Sequence, residues 1–317
     1  MWPVFVFGTG RCGSTHIQRL ITLSTCCWIW GEHGGFLEPL LASVSRYENS
    51  KGLEKFVFGR VARNKDQLIA DMTVGSEMLS WVNELDRYSY RTGVKSLVDR
   101  MFQSRVPEGW TEWGFKEIRY GLNNEAPSML LNLFDDATAA FTFRDPKSTI
   151  ESMMRTWSPD LLNGAPAVED LSRTYRICAT RYNTIVKYFL GFRAKANRPI
   201  IFISSDKLER SVEEILQTLG LPCERAIPNG LSVTNPGPNT MPEWAKVKSD
   251  ELFAKDEAEF LDLFTRACAQ SDADFGRPSR PQLVSALDTG RVIAISSQDR
   301  CEAERPSRVD CSSPYSS

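Results

Sequence analysis

With 317 residues, 42% of them hydrophobic and 25% charged, the chain is long enough to bury a substantial core and has the balance of an ordinary soluble globular protein. Its formal net charge of −2 provides no global basic field, which argues against non-specific nucleic-acid binding, and no run of about 18 apolar residues is present to span a membrane. Eight cysteines and two histidines, His16 and His33, include no C-x-x-C pair, so neither a zinc site nor a disulfide framework is expected, and the chain reads as a cytoplasmic protein with reduced thiols and no leader.

Residues 2–7 (WPVFVF) form a continuous apolar run of strand-forming types that stops at Gly8, as in a buried parallel strand. Ile17, Leu20 and Ile21 then recur at helical spacing. Further strands are expected at 26–30, at 114–118 within "WGFKEIRYG", and in "ATAAFTFRDP", which ends at Arg144 with Pro146 in the first turn of a new helix. Ile150, Met153, Met154 and Trp157 share one face of that helix, and Val168, Leu171, Tyr175, Cys178, Tyr182, Ile185 and Phe189 form the stripe of a longer one. "RPIIFISSDKL" supplies a fifth strand. After it, Ser211 and Glu214 make a capping box, Gly220 closes the helix and Pro222 forbids its continuation. Alternation of this kind predicts a three-layer α/β fold with a central, mostly parallel sheet of about five strands. Residues 33–112, which carry Trp81, Tyr88, Tyr90 and Trp110 with weak periodicity, read as a mainly helical insertion that shapes a pocket. Residues 271–317, rich in Ser, Pro and charge, read as a polar, disordered tail, which leaves 1–270 as the single domain.

Residues 1–31 contain Arg11 and Arg19 and no acid, and this local asymmetry falls on "VFVFGTGRCGSTHIQRLI", pointing to a bound anion. Three readings fit the turn. Gly8-x-Gly10-x-x-Gly13 satisfies the dinucleotide fingerprint, with Glu32 as the ribose-binding acid. Gly8, Gly13 and Thr15 also match a phosphate loop of the NTPase kind, except that Ser14 stands where the lysine belongs, which argues against ATP hydrolysis. In the third reading Arg11, the backbone N–H groups, and the Ser14 and Thr15 hydroxyls converge on an anion at a helix N-terminus.

In this third form the stretch resembles the PAPS-dependent sulfotransferases. Their first strand ends in a loop of type (K/R)-x-G-(T/S)-T that holds the 5′-phosphosulfate of 3′-phosphoadenosine 5′-phosphosulfate (PAPS). "GTGRCGSTHIQRLI" is similar to the arginine-bearing version of bacterial, carbohydrate and tyrosine sulfotransferases. The family grips the 3′-phosphate with an Arg and a Ser eight residues apart, and "FRDPKSTIESMM" supplies Arg144 and Ser152 at that separation. A guanidinium takes a phosphate bidentately while a hydroxyl adds a donor. "ATRYNTIV" and "IFISSDKLERSVEEILQTLGLP" extend the similarity, discontinuously, over residues 3–223. Two departures stand out: Cys12 replaces a common Ser or Gly, and the Arg-Lys-Gly loop of the cytosolic branch is absent, with "TNPGPNTMPEWAKVK" offering Lys246 or Lys248 at a comparable place.

The resemblance implies a P-loop-NTPase-like fold with the insertion on the acceptor side, PAPS as donor, the 3′,5′-bisphosphate PAP as product, and no metal. It assigns the 5′-phosphosulfate to Gly10, Arg11, Cys12, Gly13, Ser14 and Thr15 and the 3′-phosphate to Arg144 and Ser152. Arg11 would stabilise the leaving group, and Lys116, at the end of the "WGFKE" strand, would be a second basic residue directed into the site. The base would be Glu32, 21 residues beyond Arg11 in "WIWGEHGGFLEP", or His33, whose side chain has an unperturbed pKa of about 6.5. The expected partner is a small-molecule acceptor with a hydroxyl or amine, without nucleic acid or membrane. A Rossmann-type NAD(P)-dependent oxidoreductase and a non-catalytic nucleotide-binding module remain as alternatives.

Overall fold

The computed structural model describes residues 2–50, 66, 87–122, 125–159, 168–195, 200–209, 211–224 and 243–276. Residues 1–280 group into one compact unit, and a second, 281–317, lies outside the described residues. Among its described residues are five strands: β1 (Val4–Gly8), β2 (Cys27–Trp30), β3 (Glu112–Glu117), β4 (Thr138–Phe143) and β5 (Ile201–Ser204). The described helices are α1 (Ser14–Ser24), α2 (Leu37–Glu48), α3 (Arg87–Gln103), α4 (Ala126–Leu133), α5 (Pro146–Trp157), α6 (Val168–Lys195), α7 (Val212–Leu219) and α8 (Glu243–Phe275).

Every pairing is parallel, in the order β2-β3-β1-β4-β5. A Rossmann sheet keeps its second strand beside its first. Here β3 separates them, so an acid after β2 stands two strands from the glycine turn, and the dinucleotide reading of Glu32 loses its geometric basis. The fold is P-loop-like α/β.

Alternation along the buried strands builds two cores. Val4 and Val6 join Ile17, Leu20 and Ile21 of α1 and Ile215, Leu216 and Leu219 of α7 on one face. Phe5 and Phe7 join Phe115, Phe141 and Phe202 on the other, beneath α5, α6 and α8. Helices on both faces explain why the strands read as unbroken apolar runs. Because α1 leaves β1 toward one face and α5 leaves β4 toward the other, the crevice beyond the ends of these two adjacent strands is the switch point where ligands of open α/β sheets bind.

Local sequence accounts for the element ends. Pro146 opens α5, and the Asp145 carboxylate accepts from Ser148 N–H at 2.8 Å, satisfying one donor of the first turn. Ser211 Oγ accepts from Glu214 N–H at 3.2 Å, and Gly220 closes α7 with φ 69°.

Three expectations need correction. Trp157, placed on one face of α5 with Ile150, Met153 and Met154, is 42% exposed where those three are buried, and it is the last residue of the helix. Val168 opens α6 and is exposed, whereas the other six residues of its stripe are buried. Residues 271–275 belong to α8 and not to a tail, and they close the open edge of the sheet. On β5, Phe202 N–H donates to Asp274 Oδ2 at 2.9 Å and Ser204 N–H to Ser271 Oγ at 3.2 Å. Arg193 holds the same Asp274 carboxylate through two nitrogens, at 2.7 and 2.6 Å.

The region 33–112 supplies α2 and α3, while Trp81 lies outside the described residues. Two of its aromatic residues are structural: Trp110 donates to Thr22 O at 2.8 Å and Tyr90 shares a hydrogen bond with Ser43 at 2.7 Å. No described helix is long and apolar enough to cross a membrane.

Candidate functional site

The glycine turn is anchored from below. Thr9 N–H reaches Thr142 O at 3.4 Å, and the buried Cys12 thiol lies 3.0 Å from Thr142 Oγ1. A Cβ on Gly8 would stand 2.6 Å from that hydroxyl and 2.7 Å from the thiol, so this position admits only glycine. The Cys12 side chain thus belongs to the core, and only its backbone faces the turn.

Gly10, Arg11 and Gly13 all have positive φ, at 81°, 56° and 87°. Arg11 is the one non-glycine residue in that region among the described residues, a conformation that costs roughly 1–2 kcal/mol. Successive N–H groups converge on one side where a left-handed residue follows one of negative φ, as Gly13 follows Cys12, and such a turn makes a concave anion nest. Among the described residues, none of the N–H groups from Gly10 to Thr15 donates to a backbone carbonyl. Gly13 caps α1 without a side-chain hydrogen bond, and no acid lies in the first turn. The helix N-terminus therefore keeps its donors and positive dipole end available. Ser14 is buried and Thr15 exposed.

Across the switch point, Ser152 projects from α5 and accepts from Arg11 Nε at 3.1 Å. The sequence pairs Ser152 with Arg144; the structure joins it to Arg11. Arg144 is half-buried at the end of β4, its carbonyl accepting from Tyr182 OH at 2.9 Å. Its guanidinium has no hydrogen bond or ion pair among the described residues.

On the other side of β1, β3 delivers Lys116. Its side chain is only 9% exposed, and its ammonium donates to Glu32 Oε1 at 2.6 Å and to Thr15 Oγ1 at 3.4 Å. Glu32, just past β2, is thereby tied to the turn through one lysine. Its second oxygen accepts from Arg119 at 3.0 Å, a residue the sequence reading missed. Arg119 also donates to Glu117 Oε1 at 2.9 Å. Glu117 is fully buried and accepts from the N–H groups of His33, Gly35, Ile118 and Arg119 at 2.9–3.2 Å. Burial opposes its charge but is outweighed by the hydrogen bond and charge of Arg119 and by the Gly35 N–H, so the carboxyl lies below its usual range. Glu117 is a bracket that holds the backbone around Glu32.

His33 is not brought to the turn. Its ring sits edge-on to Phe115 and Phe36, with centroids at 4.7 and 5.0 Å, and also packs against Phe102 and Tyr120. Neither ring nitrogen makes a hydrogen bond, and Nδ1 lies 3.5 Å from Glu117 Oε2. Burial lowers its pKa, only partly offset by Glu117, so the ring is neutral and serves the core. Lys248 pairs with Glu251 on the surface of α8 at 2.8 Å, and residues 225–242, which include most of "TNPGPNTMPEWAKVK", lie outside the described residues.

A second missed residue is Arg181 of α6. It donates to Ile118 O at 2.9 Å and lies over the Trp157 ring, 5.0 Å from its centroid. The sequence carries a signal for it: Cys178, Arg181, Tyr182 and Ile185 follow helical i, i+3, i+4, i+7 spacing, which puts a guanidinium beside the apolar stripe.

The ends of β2, β3, β1 and β4 thus present, in spatial order, Glu32, Lys116, the turn with Arg11, and Arg144. Such a row can hold an extended, multiply charged anion and keep a carboxylate beside one end of it. No family model matches the chain, and no curated protein matches it either. Two solved structures are similar in part. One is a sulfotransferase domain from the curacin biosynthetic pathway, 18% identical over 69% of this chain and 72% of its own, with a TM-score of 0.39. The other is the sulfotransferase STF9 from Mycobacterium avium, 16% identical over 80% of this chain and 68% of its own, also with a TM-score of 0.39. Likeness at that level carries no weight for the chemistry, which rests on the residues themselves.

Proposed function

We propose that the protein transfers a sulfuryl group from PAPS to a hydroxyl or amine of a small acceptor by in-line displacement. The observation that carries this reading is the bond from Arg11, in its strained turn, to Ser152 across the switch point, with the Lys116–Glu32 pair one strand away. The residues fit a bisphosphorylated donor. The nest offers N–H groups without backbone acceptors, Arg144 has an uncommitted guanidinium among the described residues, and Arg11, Lys116, Arg119 and Arg144 outnumber Glu32 and Glu117.

Bound PAPS supplies the activated sulfuryl group and a phosphate leaving group. Arg11 and the N–H groups of Gly13 to Thr15 bind the phosphosulfate end and neutralise the charge that grows on the departing oxygen. Arg144, with the Ser152 hydroxyl, holds the 3′-phosphate. Glu32 takes the proton of the attacking hydroxyl or amine. Each of its oxygens accepts one bond from a cation and keeps a lone pair for that proton. Lys116, shared between Glu32 and Thr15, orients the base and lies beside the leaving group.

Thermal unfolding tests the reading. At 100 times its dissociation constant, PAP should stabilise the protein by about 2.7 kcal/mol, a rise of several degrees in Tm, while NAD(H) should give none. Arg144→Ala should weaken PAP by about tenfold or more and leave adenosine 5′-phosphosulfate, which lacks the 3′-phosphate, nearly unaffected. Protection by NAD(H) and not by PAP overturns the proposal.

A further inference from the structure

Arg181 is poorly satisfied for a guanidinium in its position. Of its donors, one NH2 hydrogen bonds to Ile118 O, while Nε is buried without an acceptor and no carboxylate lies within ion-pair distance among the described residues. Burial and the like charge of Arg119 press its pKa down, and the more weakly acting Glu117 and Glu32 offset only part of that. Stacking on Trp157 compensates only part of that desolvation. The group is held in readiness for an anion.

Its place says which anion. A Cβ on Gly10 would stand 3.3 Å from Ile118 Cδ1 and 3.5 Å from the Trp157 ring, so Ile118, Trp157 and Arg181 form a wall directly over the first turn of the loop. Arg119, next in sequence to Ile118, holds Glu32. The wall therefore borders the base. The phosphate positions of the donor already have the nest, Arg11, Arg144 and Ser152, on the β1 and β4 side. What approaches Glu32 past Trp157 is the acceptor.

We propose that Arg181, backed by Trp157, is a specificity-determining residue that receives an oxyanion of the acceptor, so that the substrate class is small hydroxylated or aminated molecules carrying a carboxylate or a phosphate ester. This rests on the sulfuryl-transfer reading for the word acceptor. The anion replaces the missing partner of Arg181, and the exposed face of Trp157 packs the carbon frame between the anion and the reacting group.

The experiment uses the full chain saturated with PAP and titrates matched probes by ligand-observed NMR: benzyl alcohol, 4-(hydroxymethyl)benzoate and 4-(hydroxymethyl)phenyl phosphate. The wild type should bind at least one anionic probe about tenfold or more tighter than the neutral one, with the carboxylate and phosphate arms telling the two sources apart. Arg181→Gln should erase that preference while leaving PAP affinity unchanged, Arg181→Lys should retain part of it, and Trp157→Ala should weaken all three probes. A wild type without preference, or a preference that survives Arg181→Gln, overturns the proposal. So does a loss of PAP affinity in Arg181→Gln, which would assign the residue to the donor. Melting curves of both Arg181 variants identify a folding defect, and Arg181→Lys then carries the comparison. If PAP does not bind the wild type, the sulfuryl-transfer reading fails by itself, and the same titrations without PAP still decide whether Arg181 selects an anion.

Discussion

Arg11→Gly should separate stability from activity. The wild-type residue pays roughly 1–2 kcal/mol to sit at φ 56°, and glycine removes that strain. Against this, glycine loses about 0.5–1 kcal/mol more backbone entropy on folding, and the 3.1 Å bond to Ser152 contributes about 0.5–1.5 kcal/mol. The sum lies near zero, so Tm should stay within about 5 °C of wild type. Arg11→Ala keeps the strained φ and loses the same bond, so it should be about 1 kcal/mol less stable than Arg11→Gly. Turnover should respond differently. Removing a donor aimed at a developing oxyanion typically costs about 10²–10³ in rate, and both variants should lose that much. Differential scanning fluorimetry supplies the stabilities, and mass-spectrometric detection of SO3 gain across an acceptor panel supplies the rates. A glycine variant less stable than the alanine variant refutes the strain reasoning, and one retaining more than about a tenth of wild-type turnover refutes the role of Arg11.

Glu32→Gln should lower turnover by about 10²–10⁴ and preserve PAP protection in the melting assay; retained turnover removes Glu32 as base, and absence of turnover in the wild type as well leaves a nucleotide-binding module. His33 has a folded pKa below its unfolded value, so the folded state binds fewer protons; its contribution is fully present above about pH 6.5 and is lost as pH falls through the folded value. His33→Phe, in the same aromatic surroundings, should flatten the decline in urea-unfolding stability between about pH 6.5 and pH 5, and an unchanged slope would place the titration elsewhere. Asp274→Ala leaves Arg193 and the Phe202 N–H without their carboxylate, and should destabilise by about 3–5 kcal/mol, lowering Tm on the order of 10 °C without changing PAP affinity relative to wild type at a permissive temperature. PAP binding lost along with that edge contact would show that β5 shapes the site directly.

What the sequence made legible was local. Apolar runs ending in glycine or arginine marked β1 and β4, the caps at Ser211 and Gly220 are set by neighbours in the chain, and the glycine spacing marked the turn after β1. Lys116 and Glu32 were readable as strand-end residues, and the structure brings them to 2.6 Å. The parts that escaped depend on contacts between distant segments. Ser152 meets Arg11 across 141 positions, Arg119 meets Glu32 across 87, and Phe202 meets Asp274 across 72. Residues 271–275 misled for a related reason: Ser and Asp there resemble a solvated tail by composition, yet they are the acceptors that an edge strand requires. His33 misled because a histidine beside a candidate base invites a chemical role, whereas the four rings that enclose it come from β3, α3 and the segments flanking α2 and β3.

The parallel order β2-β3-β1-β4 has a metric meaning. Neighbouring strands are spaced at about 4.8 Å, so the carboxyl edge is a ruler of roughly 14 Å whose graduations are the strand ends from Glu32 to Arg144. Backbone hydrogen bonds, not side chains, fix those intervals. Mutation can change the group standing at any one mark, and insertions after β2 or α5 can change what lies beyond the marks. Moving a group from one mark to another requires exchanging strands. A chain built this way can alter what it grips quickly and where it grips almost never.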